Sequence, residues 1–232
     1  MQKITDHVFQ ISLGAVNVFI IEGDGLTLVD SGYKGSTEKI FSALKKAGRH
    51  PQDIKRLVLT HSHPDHAGSA AEIKRLLKIP VFAHEADAEL LERGVAGRLP
   101  HVISPGIIHK AIFHFFIKNV GNEVEALEID RHLRDNDVIE EAQGMSAIHT
   151  PGHSAGHIAF FVKKENLLIA GDLCANMMSL DFSTVYEDRT LGVKSILKAA
   201  EVGFDMAVFG HGRPLIGSAS QKLKQKFLPL LG

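Results

Sequence analysis

The chain has 232 residues, 44% hydrophobic and 23% charged, with a formal net charge of −1, the profile of a globular protein long enough to bury a sizeable core. That charge gives no bulk electrostatic reason to expect nucleic acid or a membrane as partner, although it leaves a local basic patch open. The single cysteine, Cys174, excludes an internal disulfide, and Met-Gln-Lys-Ile-Thr-Asp-His at the N-terminus has no apolar run of the secretory kind, so the expected location is cytoplasmic.

Strand and helix signals alternate along the chain. Val8 to Leu13, Val16 to Ile21 and Leu26 to Val29 read as strands separated by glycine-rich turns. Ser36 to Gly48 reads as a helix with Ile40, Phe41, Leu44 and Ala47 in phase. Arg56 to Thr60 is a short buried strand, and Ser69 to Lys78 a helix whose core stripe is Ile73, Leu76 and Leu77. Pro80 to Ala83 is a strand and His84 to Arg93 a helix. Gly144 to His149, His157 to Lys163 and Leu167 to Ala170 return to strands. Thr190 to Glu201 is helical, Met206 to Phe209 a strand, and Ser218 to Leu228 a final helix. No linker, low-complexity tract or short repeat divides the chain, which predicts one domain over 1–232.

The segment from Gly94 to Glu128 breaks this rhythm. It is rich in Ile and Phe and holds His101, His109 and His114. Its longest apolar stretch, Val102 to Val120, includes Pro105, His109, Lys110, His114 and Lys118, a poor membrane span. Two readings fit: helices covering core, or a lid over a binding site. Its exposed Ile and Phe would also suit a homodimer contact.

Residues 60–69 read Thr-His-Ser-His-Pro-Asp-His-Ala-Gly-Ser and place His61, His63, Asp65 and His66 within a few positions. So many ionisable groups cannot be buried together without partners, because each unpaired one costs a few kcal/mol. A divalent metal removes that cost. In an extended segment His61 and His63 point the same way and can grip one ion, and Asp65 and His66, after Pro64, can face a second. Four strand ends carry further candidates: Asp30, His153 with His157, Asp172 and His211, each near a glycine. Any one alone reads as a turn residue or cap; together with the first cluster they supply ligands for two metals.

This ordered set resembles the metallo-β-lactamase-fold hydrolases, from Asp30 to His211. The resemblance implies an α/β architecture, an αββα sandwich with the metal site at one edge of the two sheets. It also implies roles: His61, His63 and His153 hold one metal, Asp65, His66 and His211 a second, and Asp172 bridges them. Asp30 would orient the cluster without binding, and His157 would pack or orient a ligand. Nitrogen and carboxylate donors without thiolate suit zinc, and also iron or manganese. Two such ions about 3.5–4 Å apart can share a hydroxide that attacks the substrate, with Asp65 as proton shuttle besides ligand.

Within the family, true lactamases generally lack the bridging aspartate. Glyoxalase II, a thioesterase, carries a glutathione-binding C-terminal extension for which little chain remains after His211. Lactone-cleaving relatives place a tyrosine after the bridging aspartate, where this chain has Leu173, Cys174, Ala175 and Asn176. The tRNA-processing nucleases fit a neutral chain poorly. The expectation is a hydrolase of a small ester, thioester or lactone; the alternatives are a mononuclear iron oxidoreductase of the persulfide dioxygenase type and a phosphodiesterase. Weaker candidates are Cys174, read as a small buried side chain, Arg213, read as a surface ion-pair partner, and Tyr186, a possible oxyanion donor that nothing places. His7, His50, His84, His132 and His149 read as surface or structural.

Overall fold

The computed structural model describes residues 1–231. Four strands open the chain as an antiparallel meander: β1 (Gln2–Lys3), β2 (Val8–Ser12), β3 (Asn17–Gly23) and β4 (Gly25–Val29). Gly25 closes the β3–β4 turn at φ +75°, a conformation open to glycine at no steric cost. Helical crossovers then take over. α1 (Thr37–Lys46) leads to β5 (Ile54–Val58); α2 (Pro64–Ala67) and α3 (Ala70–Leu77) lead to β6 (Val81–His84), followed by α4 (Glu85–Glu92). β7 (Val102–Ile103) and α5 (Ile107–Ile112) interrupt the pattern before β8 (Arg131–Leu133). Strands β4, β5, β6 and β8 pair in parallel, so the first sheet has the order β1-β2-β3-β4-β5-β6-β8. β4 and β6, inside the sheet, are mostly apolar and buried, whereas the edge strand β8 reads Arg-His-Leu with only Leu133 buried.

The second sheet follows. β9 (Val138–Ile139), β10 (Met145–His149), β11 (Ile158–Val162) and β12 (Leu167–Ile169) are antiparallel neighbours. Two short ribbon strands, β13 (Ala175–Asn176) and β14 (Leu180–Asp181), pair with each other, and β15 (Val185–Tyr186) pairs with β7. α6 (Arg189–Glu201) returns the chain to β16 (Met206–Val208), which lies parallel to β12, and β17 (Leu215–Ile216) and α7 (Ala219–Phe227) complete the order β17-β16-β12-β11-β10-β9.

Phe19, Val29 and Val58 from one sheet and Phe160, Ile169 and Val208 from the other fill the layer between them. Ile40, Leu44 and Ile73 seal α1 and α3 onto the outer face of the first sheet. Val193, Ile196, Leu223 and Phe227 seal α6 and α7 onto the second. The result is the αββα sandwich. Each of these buried side chains contributes about 1.5–3 kcal/mol by leaving water.

Two expectations change. In α3 the buried residues are Ala70, Ala71 and Ile73, and Leu76 is 56% exposed. Ile73 is buried and Leu77 packs half-buried on the same core, so the expected stripe fails only at Leu76, which turns to solvent while Ala70 and Ala71 fill the helix start. The 94–128 segment holds one helix, α5, extended by a π-helical turn over Phe113–Ile117, not a pair covering core. No helix among the described residues is long and apolar enough to cross a membrane.

Candidate metal centre

Strand ends from both sheets converge on one edge. Asp30 follows β4, His61 and His63 follow β5, Asp65 and His66 open α2, His153 and His157 lie in the β10–β11 connection, Asp172 follows β12 and His211 follows β16. Parallel strands bring their carboxyl ends to one side, which is where open α/β sheets place ligand groups. Pro64 at the first position of α2 suits a helix that starts there, and it turns Asp65 and His66 back toward the strand ends.

Three groups of ligand-type atoms form within 4.8 Å of one another: His61, His63 and His153; His61, His66 and Asp172; and Asp65, His66 and His211. Asp172 joins them. Its carboxylate lies 3.3 Å from His66 Nε2, 3.2 Å from His211 Nε2 and 3.6 Å from His153 Nε2. Asp65 Oδ2 is 3.2 Å from His211 Nε2. His153 Nε2 and His63 Nδ1 are 2.9 Å apart. Four buried atoms of these residues, His61 Nε2, His63 Nε2, His66 Nε2 and Asp172 Oδ1, have no hydrogen-bond partner.

The far nitrogens are tied down, which fixes ring orientation. His66 Nδ1 meets Asp30 Oδ2 at 2.8 Å, His61 Nδ1 meets Thr60 Oγ1 at 2.9 Å, His153 Nδ1 meets the Val185 carbonyl at 2.8 Å, and His211 Nδ1 meets the Ala15 carbonyl at 2.7 Å. Asp30 sits at φ +62°, fully buried, and accepts the Thr60 N–H and hydroxyl as well. Asp is one of the few residues that tolerates this left-handed conformation. His157 Nε2 accepts the Asp172 N–H at 3.0 Å, while its Nδ1 meets Thr150 Oγ1 at 2.8 Å. Gly210 lets the last strand approach: a Cβ there would lie 2.6 Å from His66 Cε1 and against Asp172 Oδ1.

The electrostatics split the cluster. Burial holds the imidazoles of His61, His63 and His153 below their usual range, so they stay neutral. Burial also opposes protonation of His66 and His211, but carboxylates outweigh it. Asp172, Asp65 and Asp30 push His66 up to about 10, and Asp172 and Asp65 hold His211 well above its ordinary value.

The sequence model of the metallo-beta-lactamase superfamily matches residues 11–211. This chain belongs to that superfamily. Among superfamily relatives, it is similar to the probable metallo-hydrolase YqjP of Bacillus subtilis, 26% identical over 93% of this chain and 72% of the relative. It is also similar to the hydroxyacylglutathione hydrolase of Bartonella quintana, 26% identical over 68% of this chain and 48% of that one. Among solved structures, a metallo-beta-lactamase family protein from Thermus thermophilus, TTHA1429, shares the superfamily fold, with a TM-score of 0.72 at 23% identity, covering 98% of this chain and 80% of that one.

Sequence reasoning missed Asp87. It is fully buried on α4 and accepts from the Ser62 N–H at 3.1 Å, the Ser154 hydroxyl at 2.6 Å, the Gly156 N–H at 2.9 Å and Arg98 Nη1 at 3.3 Å. It thus fastens the His61–His63 segment to the loop bearing His153. His101 was also passed over as a site neighbour; its ring lies 5.3 Å from that of His63, and burial pulls its imidazole down to about 4. Among the weaker candidates, Tyr186 is no oxyanion donor: it is fully buried and its hydroxyl donates to the Leu173 carbonyl. Cys174 is buried, and burial pushes its thiol up. Arg213 is exposed and forms no ion pair among the described residues. His84, read as surface or structural, is structural: it is buried, accepts the Ala86 N–H at the start of α4 and stacks on His149 at 4.0 Å.

Proposed function

We propose that this superfamily member is a two-metal hydrolase, with zinc as the metal, acting on a small ester, thioester or lactone. The observation that carries it is the set of buried, unpartnered atoms His61 Nε2, His66 Nε2 and Asp172 Oδ1 at a point where His63, Asp65, His153 and His211 also converge. Such atoms cost roughly 1–3 kcal/mol each unless something accepts their lone pairs. His61, His63 and His153 would hold one ion, Asp65, His66 and His211 the other, and Asp172 both. The absence of thiolate donors suits zinc, manganese or iron. If two divalent ions are held by these residues, the chemistry supplied would be a water acidified toward neutrality and polarisation of the substrate oxygen. Asp65 is partly exposed, and its carboxylate would be placed to take a proton from an attacking water and return it to the leaving group. Asp30, Thr60 and the Val185 and Ala15 carbonyls keep the ligating nitrogens turned inward.

Metal content by mass spectrometry, on protein prepared without added metal or chelator, tests the reading together with an ester, thioester and lactone panel. The name of the Bartonella quintana relative supports including thioesters. About two zinc ions per chain, with hydrolysis lost in His61→Ala and Asp65→Ala, is the expected result. A single iron per chain, or wild-type turnover in both variants, sinks it.

Gly210→Ala gives a second check. The added methyl must displace Asp172 and His66, at a cost of about 1–3 kcal/mol. The expected outcome is zinc bound roughly ten- to hundredfold more weakly at the Asp65–His66–His211 side, with the three-histidine side retained. Two ions bound with wild-type affinity would show that the close approach of Gly210 is unimportant.

A further inference from the structure

α5 and its π-helical turn stand away from the core. Of residues 107–117 only His109 is buried, while Ile107 is 84% exposed, Phe115 75% and Phe116 73%. Ile107, Ala111 and Phe115 recur at helical spacing, and Lys110, His114 and Lys118 recur beside them at the same spacing. From His101 through Asn122 there is no Asp or Glu. Met178, 77% exposed, and Met177 extend the apolar surface, and a pocket of about 160 Å³ lies between them and Ile107, Ile108 and Phe182. The nearby carboxylate of Asp181 is already matched, 3.6 Å from His109 Nε2 and 3.5 Å from Lys226 Nζ.

Exposed Ile and Phe beside Lys110 and Lys118, with no acid in the same stretch, need a cover that is apolar below and anionic at its rim. A second copy packed two-fold on this face would set Lys110 and Lys118 against cations of their own kind. An anionic lipid surface meets both demands: apolar side chains enter the acyl boundary while the lysine stems snorkel to headgroup phosphates. We propose that the α5 face docks this protein on anionic membranes. The neutral overall charge conceals this, because the acids lie elsewhere in the chain. The patch is tied to the metal cleft at both ends: His101 lies beside His63, and the Asn176 N–H donates to the His211 carbonyl just before Met177. Docking would therefore bring amphiphilic substrates near the cleft. That consequence rests on the hydrolase reading; the docking does not, since it needs no metal.

Co-sedimentation with phosphatidylcholine vesicles, with and without phosphatidylserine, tests the proposal on the full chain. The protein should pellet with the phosphatidylserine vesicles and not with the neutral ones, less so at high salt. Lys110→Glu with Lys118→Glu should weaken partitioning about tenfold or more, since each cation near such a surface counts. Phe115→Ser with Phe116→Ser should weaken it comparably. These side chains are exposed, so thermal midpoints and zinc content should match the parent and separate this result from any failure of the metal reading. Equal pelleting with neutral vesicles, no pelleting with phosphatidylserine vesicles, or a wild-type dimer that the Phe115/Phe116 variant converts to monomer would each overturn the proposal.

Discussion

Asp172→Asn is expected to lower hydrolysis about 10²- to 10³-fold. The amide keeps the shape of the side chain but removes the one charge that faces His66, His153 and His211 together, at 3.2–3.6 Å. Charge stabilisation at a two-metal site amounts to several kcal/mol, and each 1.36 kcal/mol is a decade in rate. The substitution should also change how metal uptake depends on pH. In the metal-free protein the carboxylates of Asp172 and Asp65 keep His66 and His211 protonated through neutrality despite burial. Those protons must leave before the nitrogens can ligate, so affinity at the Asp65–His66–His211 side rises with pH. His61, His63 and His153 are held neutral by burial and have no proton to lose. Acidification should therefore empty the Asp65–His66–His211 side first.

Calorimetry of zinc binding in buffers of different ionisation enthalpy measures this directly. The wild-type protein should release roughly two protons on filling both sites near neutral pH. Asp172→Asn should release fewer, because the raised values of His66 and His211 lose their main support. Equal proton release in the two proteins would mean that Asp172 does not control the protonation of its neighbours.

The metal edge was legible because its chemistry is concentrated in a few words of sequence. His61, His63, Asp65 and His66 lie close enough in the chain for spacing alone to suggest shared ligation. Asp30, His153, Asp172 and His211 are each ordinary strand-end residues; the resemblance to a known family grouped them, because their meeting depends on the pairing order of two sheets. The αββα architecture was readable for the same reason. What escaped is what only packing decides. Asp87 sits in the first turn of α4, where an acid is unremarkable because it complements the helix dipole. Nothing in the sequence brings Ser62, Ser154 and Gly156 to it. The Ile- and Phe-rich stretch around α5 fitted either core cover or a lid by composition, yet Ile107, Ile108, Phe115 and Phe116 point into solvent. Hydrophobicity states a preference for leaving water and is silent on whether the fold, a partner or a lipid provides the cover.

Asp87→Ala is expected to destabilise the fold by about 3–5 kcal/mol, because it leaves the Ser62 and Gly156 N–H groups and the Ser154 hydroxyl without an acceptor at once, at roughly 1–3 kcal/mol each. For a chain of this size that corresponds to roughly 6–20 °C in the thermal midpoint. Gly156 makes the arrangement unforgiving: its backbone packs so closely on the Asp87 carboxylate that a Cβ there would fall 2.6 Å from Cγ. Ser62 and the Ser154–Gly156 loop come from separate segments, so water would have to satisfy three buried donors at once. Asp87→Asn, which keeps an acceptor and the volume, should lose much less. The effect on metal should be uneven. Asp87 binds Ser62, between His61 and His63, and Ser154, next to His153, but touches none of Asp65, His66 or His211. Loosening it should weaken the three-histidine site about 10- to 100-fold, the range seen when groups that orient ligands are removed. Zinc titration of Asp87→Asn, still folded, separates positioning from stability. If it binds the first zinc as tightly as the parent while Asp87→Ala melts normally, Asp87 is not the clamp its four hydrogen bonds imply.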